Sequence, residues 1–283
     1  MKRDYERLPI QTFGQRLLDT GDLDPIYNAL HRMELPYTQL CQWLLAYWCL
    51  YNAGVASWMS ERDPEEFFST LMVAARNEDH SPAPTGERWP RGAERRHWRG
   101  AQAIRSCEDL STHGSAACLI EEIIQGAHSM PFTTVRDRVL KLRGFGDWIA
   151  FKVGDMLDRL GLVKVNFERA EVFMFADPRK AALMYARQQA GLPESARFKD
   201  EEEIIRQVVN SLTDLLGHNT APPDHQRPVG LQEIETVLCK WKSHMNGHYP
   251  VGNDIHEITQ GLIPWTQVSR TASLMRGCMD REV

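Results

Sequence analysis

Residues 133–161 read TTVRDRVLKLRGFGDWIAFKVGDMLDRLG, and the stretch divides itself at two glycines. Val135, Val139 and Leu142 recur at helical spacing before Gly144-Phe145-Gly146; Ile149, Val153, Met156, Leu157 and Leu160 recur after it. The pattern predicts two helices joined by a three-residue turn, with Asp147 opening the second. Glycine at both ends of such a turn permits positive φ and lets another backbone approach closely. The turn amides and the second helix's N-terminus then form an anion site suited to one phosphate. Arg143, Gly144, Phe145, Gly146, Asp147 and Trp148 are the candidate contacts to a nucleic-acid backbone. A plain αα-hairpin with glycine caps is the competing reading.

Outward from the hairpin the periodicity stays helical. Asp200 with Glu203 reads as a capping box, and Ile204, Ile205, Val208, Val209, Leu212, Leu215 and Leu216 keep one apolar face until Gly217. Ile234, Val237, Leu238, Trp241 and Met245 repeat the pattern before Gly247, and Pro64 opens a helix through Phe67, Phe68, Leu71 and Met72. Strand candidates are short, 162–167 and 172–175, and both lie between helices, where loops are the alternative. The Pro- and Gly-rich stretches 77–92 and 217–230 read as loops, the second a candidate boundary between two helical lobes. The fold class is mainly α.

Composition sets the outer limits. The 283 residues suit one large domain or two modest ones, at 42% hydrophobic and 25% charged. Six cysteines, Cys41, Cys49, Cys107, Cys118, Cys239 and Cys278, lie scattered without a CxxC pair. That argues for a reducing compartment and against an iron–sulfur cluster. The opening MKRDYERLPI has no secretory apolar stretch. Residues 35–60 carry no charge, but Gln39, Gln42, Asn52, Ser57 and Gly54 interrupt them, so a buried aromatic-rich core is expected rather than a bilayer span. A cytoplasmic protein follows. The net charge of −5 excludes a uniformly basic coat, not a local basic groove.

Such a groove has a candidate in GERWPRGAERRHWRG (86–100), where Arg88, Arg91, Arg95, Arg96, Arg99 and His97 meet Trp89 and Trp98 against only Glu87 and Glu94. Arginine offers planar, always-charged, bidentate phosphate ligands. A helix over 93–100 would put Arg95 and Arg99 on one face. A solvated face or Glu94–Arg pairs compete with phosphate contact. Acid–base candidates are Lys152 and Asp155, which at i, i+3 can equally form an ion pair, and Lys242, His244, His248, Asp254 and His256 in KSHMNGHYPVGNDIHE (242–257). His244 and His248 have helical spacing, but Gly247 interrupts it, so no metal site is expected there. Trp43, Tyr47, Trp48, Tyr51 and Trp58 can stack an extruded base, though a core role suits most of them.

The hairpin Leu142-Arg143-Gly144-Phe145-Gly146-Asp147-Trp148-Ile149-Ala150 resembles the helix–hairpin–helix of the DNA glycosylase superfamily. It departs from that pattern where the chemistry lies. Trp148 stands where lyase-type members carry lysine, and Val165-Asn166 stands where a catalytic aspartate is expected. Asparagine cannot serve as a carboxylate base; Glu168 or Asp177 would substitute only by a register shift.

Four stretches together (43–61, 87–100, 142–161 and 241–262) resemble the α-glutamyl/putrescinyl thymine pyrophosphorylase family, also described as amino acid:DNA transferases, of bacteriophages with hypermodified thymine. The resemblance spans residues 10 to 275 and implies one glycosylase-like catalytic unit over 1–283. It implies that an amino acid or polyamine nitrogen displaces pyrophosphate from the methylene of an activated 5-hydroxymethyluracil in double-stranded DNA. It also implies a partner 5-hydroxymethyluracil DNA kinase; this chain does not read as that kinase, since no G-x-x-x-x-G-K-[ST] occurs here. Arg88, Arg91, Arg95, Arg96, His97, Arg99 and Lys242 would hold the phosphates. Lys152, Asp155, Asn166, His244, His248, Asp254 and His256 would supply the catalytic groups. Magnesium on the pyrophosphate is chemically reasonable without a diagnostic ligand set. A divergent glycosylase or lyase, or a non-catalytic module binding modified DNA, are the alternatives. The residues do not discriminate among amino donors.

Overall fold

A computed structural model describes residues 4–78 and 80–280. In chain order these form α1 (Ile10–Asp19), α2 (Pro25–Met33), α3 (Tyr37–Leu50), α4 (Ala53–Met59), α5 (Pro64–Arg76), α6 (Gly100–Ser111), α7 (Ala116–Ile124), β1 (Ser129–Pro131), α8 (Phe132–Val139), α9 (Asp147–Arg159), β2 (Lys164–Asn166), α10 (Ala176–Gln189), α11 (Glu201–Leu216), α12 (Leu231–Met245), α13 (Asn253–Leu262) and α14 (Arg270–Met279). The fold is mainly α, as expected. Its two strands pair in parallel, with Met130 opposite Val165.

The uncharged stretch becomes the centre of the molecule. Every residue from Cys41 to Leu50 is buried, and α3 packs on α4, α7 and α9. Tyr51 then turns left-handed (φ +49), and Asn52 caps α4 by accepting the Val55 N–H at 3.0 Å. The break leaves helices of 14 and 7 residues, and among the described residues none is long and apolar enough to cross a membrane.

Caps account for several boundaries. Asp200 accepts the Glu203 N–H at 3.0 Å, and α11 stops at Gly217 as its pattern predicts. Glu203 itself turns to Arg206 and Gln207 rather than back to the cap. At α12 the reach-back contact does form: the Gly230 N–H donates to Glu233 Oε2 at 2.9 Å. The loop 217–230 joins α11 and α12, which pack on each other and both on α1; α14 packs on α2, α4 and α13.

Two local expectations are corrected. Residues 172–175 are not a strand: Ala170–Phe173 make a 3-10 turn after left-handed Arg169. Residues 93–100 are not one helix either. Only Ala93–Arg95 form a 3-10 turn, Arg99 is extended, and Gly100 at φ +66 cannot continue a right-handed helix.

The hairpin has the expected plan. α8 and α9 pack together, Gly144 takes φ +82, and Gly146 starts α9 without a side-chain cap. A Cβ at Gly144 would meet Ser106 Oγ at 3.1 Å, so the turn lies close on α6. The far face of α9 is unusual. Lys152, Asp155 and Arg159, at i, i+3 and i+7, share one buried stripe where a core helix would carry apolar side chains.

Candidate active site

That stripe faces the start of α2, which brings Asp24 and Tyr27, and α12, which brings Gln232, Glu233, Glu235 and Thr236. Charges out of water persist only when paired and hydrogen-bonded, and most of these are. Arg159 Nη1 donates to Asp24 Oδ2 at 2.5 Å and Nε donates to the Pro222 carbonyl at 3.0 Å. The guanidinium lies 4.4 Å from the Tyr27 ring centre. Tyr27 donates its hydroxyl to Asp155 Oδ2 at 2.7 Å, and Gln232 Nε2 donates to Asp155 Oδ1 at 3.2 Å. Glu233 accepts two bonds from Arg227, at 2.9 and 3.0 Å, beside its contact with Gly230.

Lys152 and Glu235 are different. Lys152 Nζ is 3.7 Å from Glu235 Oε2, 3.8 Å from Asp155 Oδ2 and 4.0 Å from Asp24 Oδ1. These are ion-pair separations, too long for hydrogen bonds. Glu235 Oε1 is buried with no partner. Burial pushes the Glu235 carboxyl up to about 7; Lys152 opposes the rise, and Asp155 and Asp24 add to it. Burial alone would lower Lys152, but Glu235, Asp24 and Asp155 hold it well above its ordinary range, so it remains an ammonium. Asp24 ends low, because Arg159 and Lys152 outweigh its burial, whereas burial leaves Asp155 raised. The result is a carboxyl half ionised near neutrality beside a fixed positive charge.

Other elements converge on this pair. Trp148, one turn before Lys152, meets Tyr51 edge-on at 4.9 Å and Phe175 at 6.4 Å. Glu94 touches solvent, yet protein encloses its carboxyl enough for desolvation to raise it, with Lys152 and Asp254 as electrostatic neighbours. Lys242 pairs with Asp177 at 2.5 Å. Cys239, between Glu235 and Asp177 in electrostatic reach, has its thiol pushed up to about 12 by burial, so it is not a nucleophile at neutral pH.

The arginine cluster divides into two groups. Arg91 donates to the carbonyls of Trp98, Trp89 and Ala74, at 2.9, 3.1 and 2.6 Å, and so ties its loop together and to α5. Arg95 is buried and bonds the Cys49 and Gly144 carbonyls, each at 3.0 Å, pinning the hairpin to α3. These two are corrected from phosphate ligands to structural cations, and Trp89 and Trp98 are buried beside them. Arg88, Arg96, His97 and Arg99 face the surface. Arg95→Ala strands two carbonyls and is expected to cost about 2–4 kcal/mol. Arg96→Ala should stay within about 0.5 kcal/mol of wild type while weakening DNA affinity. Thermal melts beside DNA titrations check both, and equal melting of the two variants would refute the division.

The 242–257 segment is also mostly structural. His244 is buried between Phe13 and Tyr5, accepting the Leu8 N–H on Nε2 at 2.9 Å with Nδ1 2.8 Å from the Tyr249 carbonyl. Both ring nitrogens are engaged and burial lowers its pKa, so it is corrected from catalytic base to core histidine. Asp254 pairs with Lys240 at 2.8 Å. Asp22, which sequence reasoning missed, accepts the N–H groups of Gly252, Asp254 and Ile255 and so anchors the start of α13. His248 and His256 are exposed. Asn166 is exposed too, and its Oδ1 accepts the Glu168 N–H at 2.8 Å, closing a turn. At the hairpin, Arg143 pairs with Asp109 and Asp147 with Arg136, while Phe145 is buried.

Of the predicted catalytic residues, Lys152 and Asp155 meet in the network. Asp24, Glu235, Arg159 and Glu94 were missed. The available signal was α12 itself: Glu233, Glu235, Lys240 and Lys242 interrupt an apolar period that demands burial.

A family model described as amino acid:DNA transferase matches residues 18–248. The chain is 48% identical over 282 residues to a glycinyltransferase of Pseudomonas phage PaMx11, covering 96% of each. It is 22% identical over 269 residues to a putrescinyltransferase of Delftia phage PhiW-14, covering 94% of this chain and 81% of that one.

Proposed function

The chain belongs to the amino acid:DNA transferase family and is a transferase that modifies DNA, and we propose that it joins the nitrogen of a small amino acid, glycine foremost, to the C5 methylene of an activated 5-hydroxymethyluracil. The likeness to a glycinyltransferase supports glycine. The activated base carries pyrophosphate, installed by a separate DNA kinase, and the reaction takes place in the cytoplasm of the phage's host.

The observation that carries the chemistry is the Lys152–Glu235 pair. An amino acid arrives as an ammonium and must lose a proton before its lone pair can attack. A base matched to neutral pH does this best, and Glu235, pushed up to about 7, fits. The nitrogen lone pair then forms the C–N bond at the methylene as the C–O bond breaks, its electron pair leaving on pyrophosphate. We assign the leaving group to Arg96 and Arg99 at the surface and to Lys242 once it releases Asp177. The hairpin around Gly146 grips the backbone, and Trp148 with Tyr51 offers the extruded base an aromatic wall.

Among the described residues no cluster of three or more metal-ligating side chains occurs. Magnesium, where present, would sit on the pyrophosphate, whose oxygens would supply most of its ligands. Base excision has less support, since Asn166, an amide rather than a carboxylate, closes a turn where that chemistry needs a base.

Incubating the protein with duplex DNA bearing pyrophosphorylated 5-hydroxymethyluracil and an amine mixture, then analysing nucleosides by mass spectrometry, tests this reading. A nucleoside heavier than 5-hydroxymethyldeoxyuridine by glycine less one water, with pyrophosphate released, is expected. Abasic sites, or tight binding without product, would overturn it.

A further inference from the structure

Resting on that reading, the geometry points to Lys152 and Glu235 as a clasp for the donor's zwitterion, the ammonium of Lys152 taking its carboxylate and Glu235 Oε1 taking its amine. The other charged members of the network have near partners. Asp24, Asp155 and Glu233 each accept two or more hydrogen bonds. Arg159 keeps one unpartnered Nη2, but its charge is matched by Asp24 at 2.5 Å. Lys152 is 8% exposed and has no acceptor within hydrogen-bonding distance among the described residues. Glu235, 1% exposed, carries an orphan oxygen beside it. Unmet hydrogen bonds on buried groups are costly, and here a donor and an acceptor remain unmet side by side.

The separation suits one class of ligand. A carboxylate and an amine on the same carbon present opposite charges across a single atom, and the two protein charges stand 3.7 Å apart. An α-amino acid can satisfy both at once, whereas a plain amine satisfies only Glu235 and leaves Lys152 as it was. The surroundings limit what else the donor can carry. Asp24 and Asp155 already stand 4.0 and 3.8 Å from the Lys152 ammonium, so a second carboxylate on the donor meets like charge there. The clasp therefore selects a small amino acid with a neutral side chain, and it delivers the amine to the carboxyl that takes its proton.

The test compares glycine with glycinamide, which keeps the amine and lacks the carboxylate. One charge-assisted hydrogen bond contributes about 1.5–3 kcal/mol, so wild type should show a KM for glycine about 10- to 100-fold below that for glycinamide. Lys152→Met should raise the glycine KM until this preference falls below about threefold, with the KM for DNA unchanged. Lys152→Arg, which keeps the charge, should retain part of the preference and covers the case in which the methionine variant does not fold. Wild type using both amines with equal KM, or Lys152→Met keeping the preference, would overturn the clasp alone. No product from either amine in wild type would instead overturn the transfer reading beneath it.

Discussion

Glu235→Gln is expected to lower kcat/KM by about 10²- to 10⁴-fold, the usual contribution of a positioned general base, while leaving the protein as stable as wild type or more so. The two effects share one cause. Burial raises Glu235 from an ordinary carboxylate value near 4.5 to about 7 in the folded chain. The folded state therefore holds this proton more tightly than the unfolded state does. Stability from this group is greatest at low pH, falls as pH rises between about 4.5 and 7, and stays reduced above that window. At pH 8 the ionised carboxylate costs on the order of 3 kcal/mol, which an uncharged glutamine does not incur. Melting curves at several pH values should show the variant gaining on wild type as pH rises, with Asp24 and Asp155 left to hold the Lys152 ammonium. The wild-type kcat/KM profile should have a limb near pH 7 that the variant lacks. A glutamine variant retaining activity within tenfold would remove Glu235 from the proton transfer.

What the sequence made legible follows from what leaves a period in it. The hairpin, α11 and α12 could be read because apolar spacing and end residues agree: Gly144 and Gly146, Asp200 with Gly217, and Leu238 with Trp241 in one stripe. Tyr51 could not, because a left-handed tyrosine carries no local mark. Lys152 and Asp155 were visible only as a spacing, compatible with a private ion pair. Their decisive partners come from remote segments; Tyr27 and Asp155, for example, lie 128 residues apart. The arginine loop misled for a related reason. A guanidinium that bonds carbonyls, as Arg91 and Arg95 do, looks the same in sequence as one awaiting phosphate. His244 likewise shows its core role only once Leu8 and Tyr249 close on its ring. Composition told where charge was dense, and the fold then separated the buried charges that hold backbone from those at the surface.

Arg159→Met should be the most destabilising single change in the network, at about 3–5 kcal/mol, the cost of removing one partner from a buried ion pair. Against the 5–15 kcal/mol typical of a domain this is a large fraction, and the melting temperature should fall by about 10 °C or more. Arg159 satisfies Asp24 at 2.5 Å and the Pro222 carbonyl at 3.0 Å, and it stands 3.5 Å from Glu233 and 3.8 Å from Asp155. Methionine fills similar volume but leaves Asp24 to Thr236 and a distant Lys152. The deficit should depend on pH with a definite sign. Arg159 and Lys152 hold Asp24 below its ordinary value despite burial, so this pairing stabilises the fold above about pH 4 and is lost as pH falls through the folded pKa. The variant should therefore lie furthest below wild type near neutrality and converge with it in acid. Neutralising the stranded partner supplies the control. Arg159→Met combined with Asp24→Asn should recover part of the loss, giving a coupling energy of about 1–3 kcal/mol in a double-mutant cycle. Additive losses instead would mean that Arg159 acts through its contacts with Pro222 and Tyr27, and that the Asp24 pair does not hold α2 against α9.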